Sequence, residues 1–215
     1  MPRKKLIRIN AFDTLPNALT KPYHLKGQWQ QFFGNENPII AELGCGKAEF
    51  SVSIAQQNPN YNVIAIDLKP DRLYVGALNA IKLNLNNIVF VKLHIEEVTQ
   101  LFSNQELSSI WLTFPDPHPK QNSAHKRLTH HSKLTHYAQA LADNAPLNLK
   151  TDNLPLFQYS IDELLGNGWN IIYQETDCDI LLDKLPELSI HTTFEKTYRG
   201  RTQKICFLRA IFSPK

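Results

Sequence analysis

Pro38-Ile39-Ile40-Ala41-Glu42-Leu43-Gly44-Cys45-Gly46-Lys47 is the stretch on which the fold turns. A short apolar run that ends in Gly-x-Gly reads as a buried strand entering a tight turn. The chain then repeats the theme: helical spacing over Ala48 to Gln57, then Asn62-Val63-Ile64-Ala65-Ile66-Asp67; helical spacing over Pro70 to Leu83, then Ile88-Val89-Phe90-Val91-Lys92-Leu93. Ile95 to Phe102 precedes Ser109 to Thr113, and Ser132 to Asp143 precedes Pro146 to Lys150. Strands separated by helices imply right-handed βαβ crossovers and a parallel sheet covered on both faces, a doubly wound α/β domain. Beyond a short helical run at Ile161 to Leu165 come strand-like Trp169 to Gln174, an irregular acidic stretch around Asp177 and Asp179, and a β-rich Lys204 to Phe212. No repeat or Gly/Ser linker divides the chain. Residues 26–215 are read as one domain, preceded by a basic N-terminal arm over 1–25.

The 215 residues, 42% of them hydrophobic, suffice for a sizeable core. No stretch approaches the roughly 18 apolar residues of a membrane span, and the basic N-terminus lacks a following apolar segment, so a cytoplasmic protein is expected. Cys45, Cys178 and Cys206 are odd in number and far apart, which suggests neither a disulfide framework nor a zinc site; no metal is expected.

Charge is distributed unevenly. Between Pro117 and Ala142 no acid occurs, while Lys120, Lys126, Arg127 and Lys133 give +4 and five of the eight histidines join them. Arg3, Lys4, Lys5 and Arg8 form a second basic cluster. Such patches are the footprint of a polyanion partner.

In open parallel sheets ligands bind beyond the carboxyl ends of the strands. Gly44 and Gly46 let the backbone turn tightly after the first strand. Asp67 ends the second strand, placed to accept ribose hydroxyls. A dinucleotide fingerprint needs a third glycine where this chain has Glu49, and a carboxylate there repels a pyrophosphate. Glu42-x-Gly44-x-Gly46 followed by Asp67 therefore suits an adenosine cofactor without phosphates, such as S-adenosylmethionine, whose cationic sulfur tolerates carboxylates. The fourth strand ends in Phe114-Pro115-Asp116-Pro117-His118-Pro119-Lys120, where three prolines in five residues stiffen the loop that presents Asp116. At the same rim stands Lys150-Thr151-Asp152-Asn153, with Asp152 either on a base edge or capping a helix. Thr192-Thr193-Phe194-Glu195, followed by Lys196, Arg199, Gly200, Arg201 and Lys204, offers hydroxyls, an aromatic platform and a carboxylate.

These segments together resemble the bacterial tRNA (guanine-N7)-methyltransferases, from Gly27-Gln28-Trp29 and Phe33-Gly34-Asn35-Glu36-Asn37-Pro38 to the last strand. The resemblance implies a Rossmann-like methyltransferase sheet of seven strands, mostly parallel with an antiparallel terminal strand, S-adenosylmethionine as methyl donor, tRNA as partner, and methylation of a variable-loop guanine at N7. By motif, Glu42, Gly44, Gly46 and Asp67 would hold the cofactor, Asp116 would be cofactor-proximal and catalytic, and Lys120, Asp152, Thr192, Thr193, Phe194 and Glu195 would engage substrate. Asn122, Ser123, Ala124, His125, Lys126 and Arg127 correspond to the RNA-contacting stretch. His94 stands where the family has an Asp facing the adenine amino group, with Glu96 two residues on; a neutral imidazole nitrogen still accepts that hydrogen bond. His118 stands for a usual Trp, and Thr193-Phe194 for a usual Glu-Tyr.

Other classes stay open. A methyltransferase for another RNA, a protein or a small molecule keeps Glu42 and Asp67 but leaves the acid-free stretch unexplained. A nicotinamide oxidoreductase lacks the third glycine, and a catalytically weak RNA-binding module needs no methyl donor. Nothing marks an obligate protein partner, and both a monomer and a homodimer fit.

Overall fold

The computed structural model describes residues 3–199 and 204–213. Its elements, in chain order, are α1 (Arg3–Phe12), β1 (Ala18–Thr20), α2 (Trp29–Phe33), β2 (Ile39–Leu43), α3 (Glu49–Gln57), β3 (Asn62–Asp67), α4 (Pro70–Lys82) and β4 (Ile88–Lys92). They continue with α5 (Val98–Leu101), β5 (Ser109–Thr113), α6 (His131–Ala140), β6 (Pro146–Thr151), α7 (Leu154–Gly166), β7 (Trp169–Glu175), α8 (Thr193–Arg199) and β8 (Cys206–Phe212).

The strands lie side by side in the order β1-β4-β3-β2-β5-β6-β8-β7. β1 through β6 are parallel, and β8 runs antiparallel between β6 and β7. The sheet thus has the expected mostly parallel build with its antiparallel end. It holds eight strands rather than seven among the described residues, because three residues of the expected arm pair with β4 as Ala18↔Phe90, Leu19↔Val91 and Thr20↔Lys92. The order reverses between β2 and β5, which opens a crevice at their carboxyl ends.

Period-two alternation sends successive strand residues to opposite faces. Ile39, Ala41 and Leu43 of β2, with Ile64 and Ile66 of β3, join Trp29, Tyr137 and Phe157 in one core layer. Ile40, Val63 and Ala65 join Phe12, Phe50 and Trp111 in the other. Every residue of β2 and β3 is buried, as strands covered on both faces require. In β7 only Trp169 is buried and the following residues alternate between exposed and partly exposed, as its place at the sheet edge allows.

Several sequence expectations shift in detail. The helix read over Ile95 to Phe102 shrinks to a 3-10 turn at Ile95–Glu97 and the single turn α5. The run at Ile161 to Leu165 is the end of a longer helix, α7, which starts where the Asn153 side chain accepts the Leu156 N–H at 2.8 Å. Asn153, not Asp152, is therefore the cap. The first 25 residues, read as an arm, hold α1 and β1, and Phe12 is fully buried. Among the described residues no helix is long and apolar enough to cross a membrane.

Candidate active site

The loop after β2 is built on three left-handed residues, Gly44 (φ +75°), Gly46 (φ +58°) and Ala48 (φ +54°). It is tied to the end of β3: the Gly44 and Cys45 N–H groups donate to the Ile66 carbonyl at 2.8 and 3.0 Å, and Gly46 N–H to Asp67 Oδ2 at 2.8 Å. Asp67 Oδ1 accepts a second amide, that of Lys69, at 2.8 Å. Asp67 therefore braces the loop and still faces a cleft. α4 lies hard against the same loop, since a Cβ on Gly76 would sit 2.5 Å from the Lys47 carbonyl oxygen.

Glu42 does not reach a cleft. It is 1% exposed, and its carboxylate accepts hydrogen bonds from the Ser51 amide at 3.0 Å and from the hydroxyls of Ser51 and Thr113. Burial pushes its pKa up to about 7, against those hydrogen bonds.

Two adjoining clefts occupy the crevice. One, ≈ 530 Å³, brings together Gly44, Asp67, His94, Glu96, Asp116, His118, His125 and Lys126. Its size falls within the roughly 300–1,000 Å³ of small-ligand sites. His94 Nδ1 is bonded to the Glu96 carboxylate, which also pairs with Lys133 at 3.5 Å. Burial opposes the Glu96 charge, but hydrogen bonds from its own backbone amide and from His94 outweigh it and hold the carboxyl below its ordinary range.

The second cleft, ≈ 440 Å³, is lined by Gly44, Gly46, Lys47, Glu49, Arg72, Thr113 and Phe114, and closed over by Thr192, Thr193, Phe194 and Thr197. Gly44, Arg72 and Phe114 belong to both clefts, and Phe114 is itself left-handed at φ +48°. Its ring meets that of Phe194 at 5.2 Å, and Phe194 meets Tyr198 at 4.5 Å, an aromatic lip of which Phe194 is 46% exposed. Glu49 explains how α8 is held there: its carboxylate accepts both the Thr193 amide and, at 2.9 Å, the Thr193 hydroxyl.

Other expected site residues lie elsewhere. Glu195 is fully buried; it pairs with Lys150 at 2.8 Å and with Arg199 at 2.8 Å, and Arg199 pairs in turn with Asp179 at 2.7 Å. Burial lowers the pKa of Lys150 despite Glu195 beside it. Asp152 is half-buried and lines neither cleft, and its burial raises its carboxyl. In the basic stretch, Lys120, Asn122, His125 and Lys126 are exposed and Ser123 is partly so, its hydroxyl donating to the Lys120 carbonyl. Ala124 is buried, and Arg127 is turned inward: it donates to the Pro117 and His118 carbonyls at 3.2 and 3.0 Å and stacks on Tyr159 at 4.2 Å. Arg127 thus holds the Asp116 loop from behind. Lys133 is buried as well. Gly200 and Arg201 lie outside the described residues.

The family model described as "Putative methyltransferase" matches residues 36–208. A tRNA (guanine-N(7)-)-methyltransferase of Christiangramia forsetii is 36% identical over 189 residues, covering 87% of this chain and 84% of that protein. The protein of the same name from Cytophaga hutchinsonii is 32% identical over 222 residues, covering all of both chains. The chain belongs to this methyltransferase family. Solved structures carry the same fold at low identity. The 16S rRNA methyltransferase KamB superposes with a TM-score of 0.66 at 14% identity, over 87% of this chain and 94% of that one.

Within this family fold, sequence reasoning missed Arg72 and Phe114, which join the clefts, and Glu49 as the anchor of α8. Arg72 was legible in principle: it lies in the first turns of the helix after Asp67, at the rim where strand ends converge.

Proposed function

We propose that this chain transfers a methyl group from S-adenosylmethionine to N7 of a guanine in the variable loop of tRNA. The observation that carries the reading is the convergence of Asp67, His94, Glu96 and Asp116 on one cleft that opens into a second, aromatic-lipped one. A cleft with four such groups, beside a loop whose third fingerprint glycine is Glu49, favours a cationic adenosine ligand over a pyrophosphate. The donor, when bound, supplies an electrophilic methyl on a cationic sulfur. Asp67 and His94 would hold its adenosine, and the turn at Gly44 and Gly46 would leave its backbone open to it.

Guanine N7 has an unprotonated lone pair at neutral pH, so no base is needed before attack. What the chain contributes is alignment and a negative field over a ring that becomes cationic. Asp116 stands exposed at the junction of loop and cleft, stiffened by its prolines and by Arg127 behind them. It accepts from the guanine N1/N2 edge while stabilising the positive ring. Phe194, Phe114 and the hydroxyls of Thr192 and Thr193 take the base, and Lys120 and Lys126 meet phosphates. The protein works in the cytoplasm on tRNA.

Labelled S-adenosylmethionine and unmodified tRNA transcripts test this, with a matched transcript carrying 7-deazaguanine at the target. Label in the first and none in the second is expected; label in neither, with donor binding intact by calorimetry, moves the reading to another acceptor. Asp116→Asn is expected to lower kcat by about 10² or more while tRNA still binds. An Asn variant with wild-type turnover removes Asp116 from the chemistry.

A further inference from the structure

A third hollow, ≈ 300 Å³, opens between α1, the loop after β2 and α4. It shares Lys47 and Glu49 with the aromatic-lipped cleft, which shares Arg72 with the other, so the three form one continuous run that starts at the sheet's carboxyl edge and continues down the side of α4. Nothing in the methyl-transfer reading uses this third part. Arg8 of α1, Lys47 of the loop, and Tyr74, Asn79 and Lys82 of α4 line it.

Its lining carries three cations, Arg8, Lys47 and Lys82, against the single acid Glu49. No carboxylate of the described residues lies within the 4.0 Å of an ion pair with Arg8, Lys47, Arg72 or Lys82, while Lys5 reaches Asp71, Lys21 pairs with Glu97 and Lys133 with Glu96. Glu49, the acid in the lining, already accepts two hydrogen bonds from Thr193. Arg72, Asn79 and Lys82 are spaced by seven and three along α4 and so share one helix face. Arg8, Lys47 and Lys82 around the hollow, with Arg72 at the other end of α4, repel each other, and an anion relieves that cost. Arg72 and Lys82 stand ten residues apart, about 15 Å along the helix. A single phosphate or carboxylate does not span that distance; a polyanionic strand does.

We infer that Arg8, Lys47, Arg72 and Lys82 form a track for the sugar-phosphate backbone of the RNA, at the end of this run of hollows away from Lys120 and Lys126. This rests on the proposed tRNA substrate: the strand carrying the target guanine is gripped on both sides of the methylated base. Sequence reading assigned the basic N-terminus to a polyanion only as a cluster. The fold adds the site, because it brings one turn of α1 against the far end of α4.

Arg8 and Lys82 lie outside both central clefts, so the full-length double variants Arg8→Ala/Lys82→Ala and Arg8→Glu/Lys82→Glu isolate the track. Unmodified tRNA is titrated over a salt series, S-adenosylmethionine binding is read by calorimetry, and folding by thermal unfolding. Expected for the alanine pair is a several-fold weaker Kd, a log K against log salt slope smaller by about two, a higher KM for tRNA, and unchanged kcat and donor affinity; charge reversal deepens the loss. Wild-type affinity and slope in a folded alanine pair overturn the track and leave the proposed function standing. Wild-type chain that binds tRNA through these residues yet never methylates it upholds the track and overturns the function. Inorganic pyrophosphate supplies the other source of phosphate chemistry: if it stabilises the wild type, loses that effect in the variants, and tRNA affinity is untouched, a free phosphate compound is the ligand and the RNA track is overturned.

Discussion

Glu42 and Asp67 both end strands beside the glycine loop, yet the structure uses them differently. Asp67 reaches the cleft and takes two backbone amides, whereas Glu42 is sealed beneath the loop with the hydroxyls of Ser51 and Thr113. A carboxyl whose folded pKa is raised to about 7 binds its proton more tightly in the folded chain than in the unfolded one. Stability is then highest at low pH as far as this group is concerned, and falls as pH climbs from about 4.5, where the unfolded chain releases the proton, to about 7. Glu42→Gln keeps the shape and removes the titration. Relative to that variant, the wild type should lose ~3 kcal/mol across this window, measured by denaturant unfolding at pH 5 and pH 8. A constant difference would mean that Glu42 stays ionised in the fold. Which acid faces the cleft was not legible from position alone, because Ser51 and Thr113, nine and 71 residues away, decide it. The basic stretch gives the same lesson. Arg127 read as an RNA contact and Lys133 as part of the basic patch, but carbonyls of Pro117, His118 and His125 claim their N–H groups.

At the scale of elements, α8 shows how a segment to which the sequence reading gave no element becomes a helix bordering the cleft. Thr192 Oγ1 accepts the Glu195 amide at 3.1 Å and caps the helix, Thr193 is clasped by Glu49, and Glu195 is locked to Lys150 and Arg199. The i, i+4 spacing of Glu195 and Arg199 turns both away from the face that carries Phe194. The grouping of the tetrad was legible; the helical period that puts Thr192, Thr193 and Phe194 along the cleft and Glu195 inside was not, since seven residues with a Thr-rich start give little helix signal. Lys150→Met leaves Glu195 buried with less compensation and is expected to cost about 3–5 kcal/mol. Adding Glu195→Leu should recover most of that loss, because Arg199 keeps its bidentate partner Asp179 at 2.7 and 2.8 Å. Chemical denaturation of the two variants side by side checks it; equal losses would show that the pair does not act as a unit.

At the scale of the whole molecule, the parallel direction of the strands followed from apolar runs alternating with helical spacing, and β2 through β6 stand at the segments that alternation marks, while their spatial order comes from the fold. The N-terminal 25 residues did not yield to the same reading. α1 exposes Leu6 and Ile7 and buries Phe12, so its sequence shows no clean stripe, and β1 is only three residues long. Phe12→Ala is expected to destabilise the protein by about 3–5 kcal/mol, whereas Lys4→Ala leaves unfolding unchanged. Urea midpoints for both separate a segment integral to the fold from an appended arm.

The place of β8 has a consequence for synthesis. Among the described residues β7 bonds to no strand but β8, and β8 fills the gap beside β6. A growing chain can assemble β2 to β6 early, but until Cys206–Phe212 leaves the ribosome, β6 presents an open edge and β7 has no neighbour. An unpaired edge of that kind invites pairing with another chain. Synthesis of β8 is then also the step that closes the sheet, and a message truncated just before Cys206 yields a product primed to aggregate rather than a working enzyme.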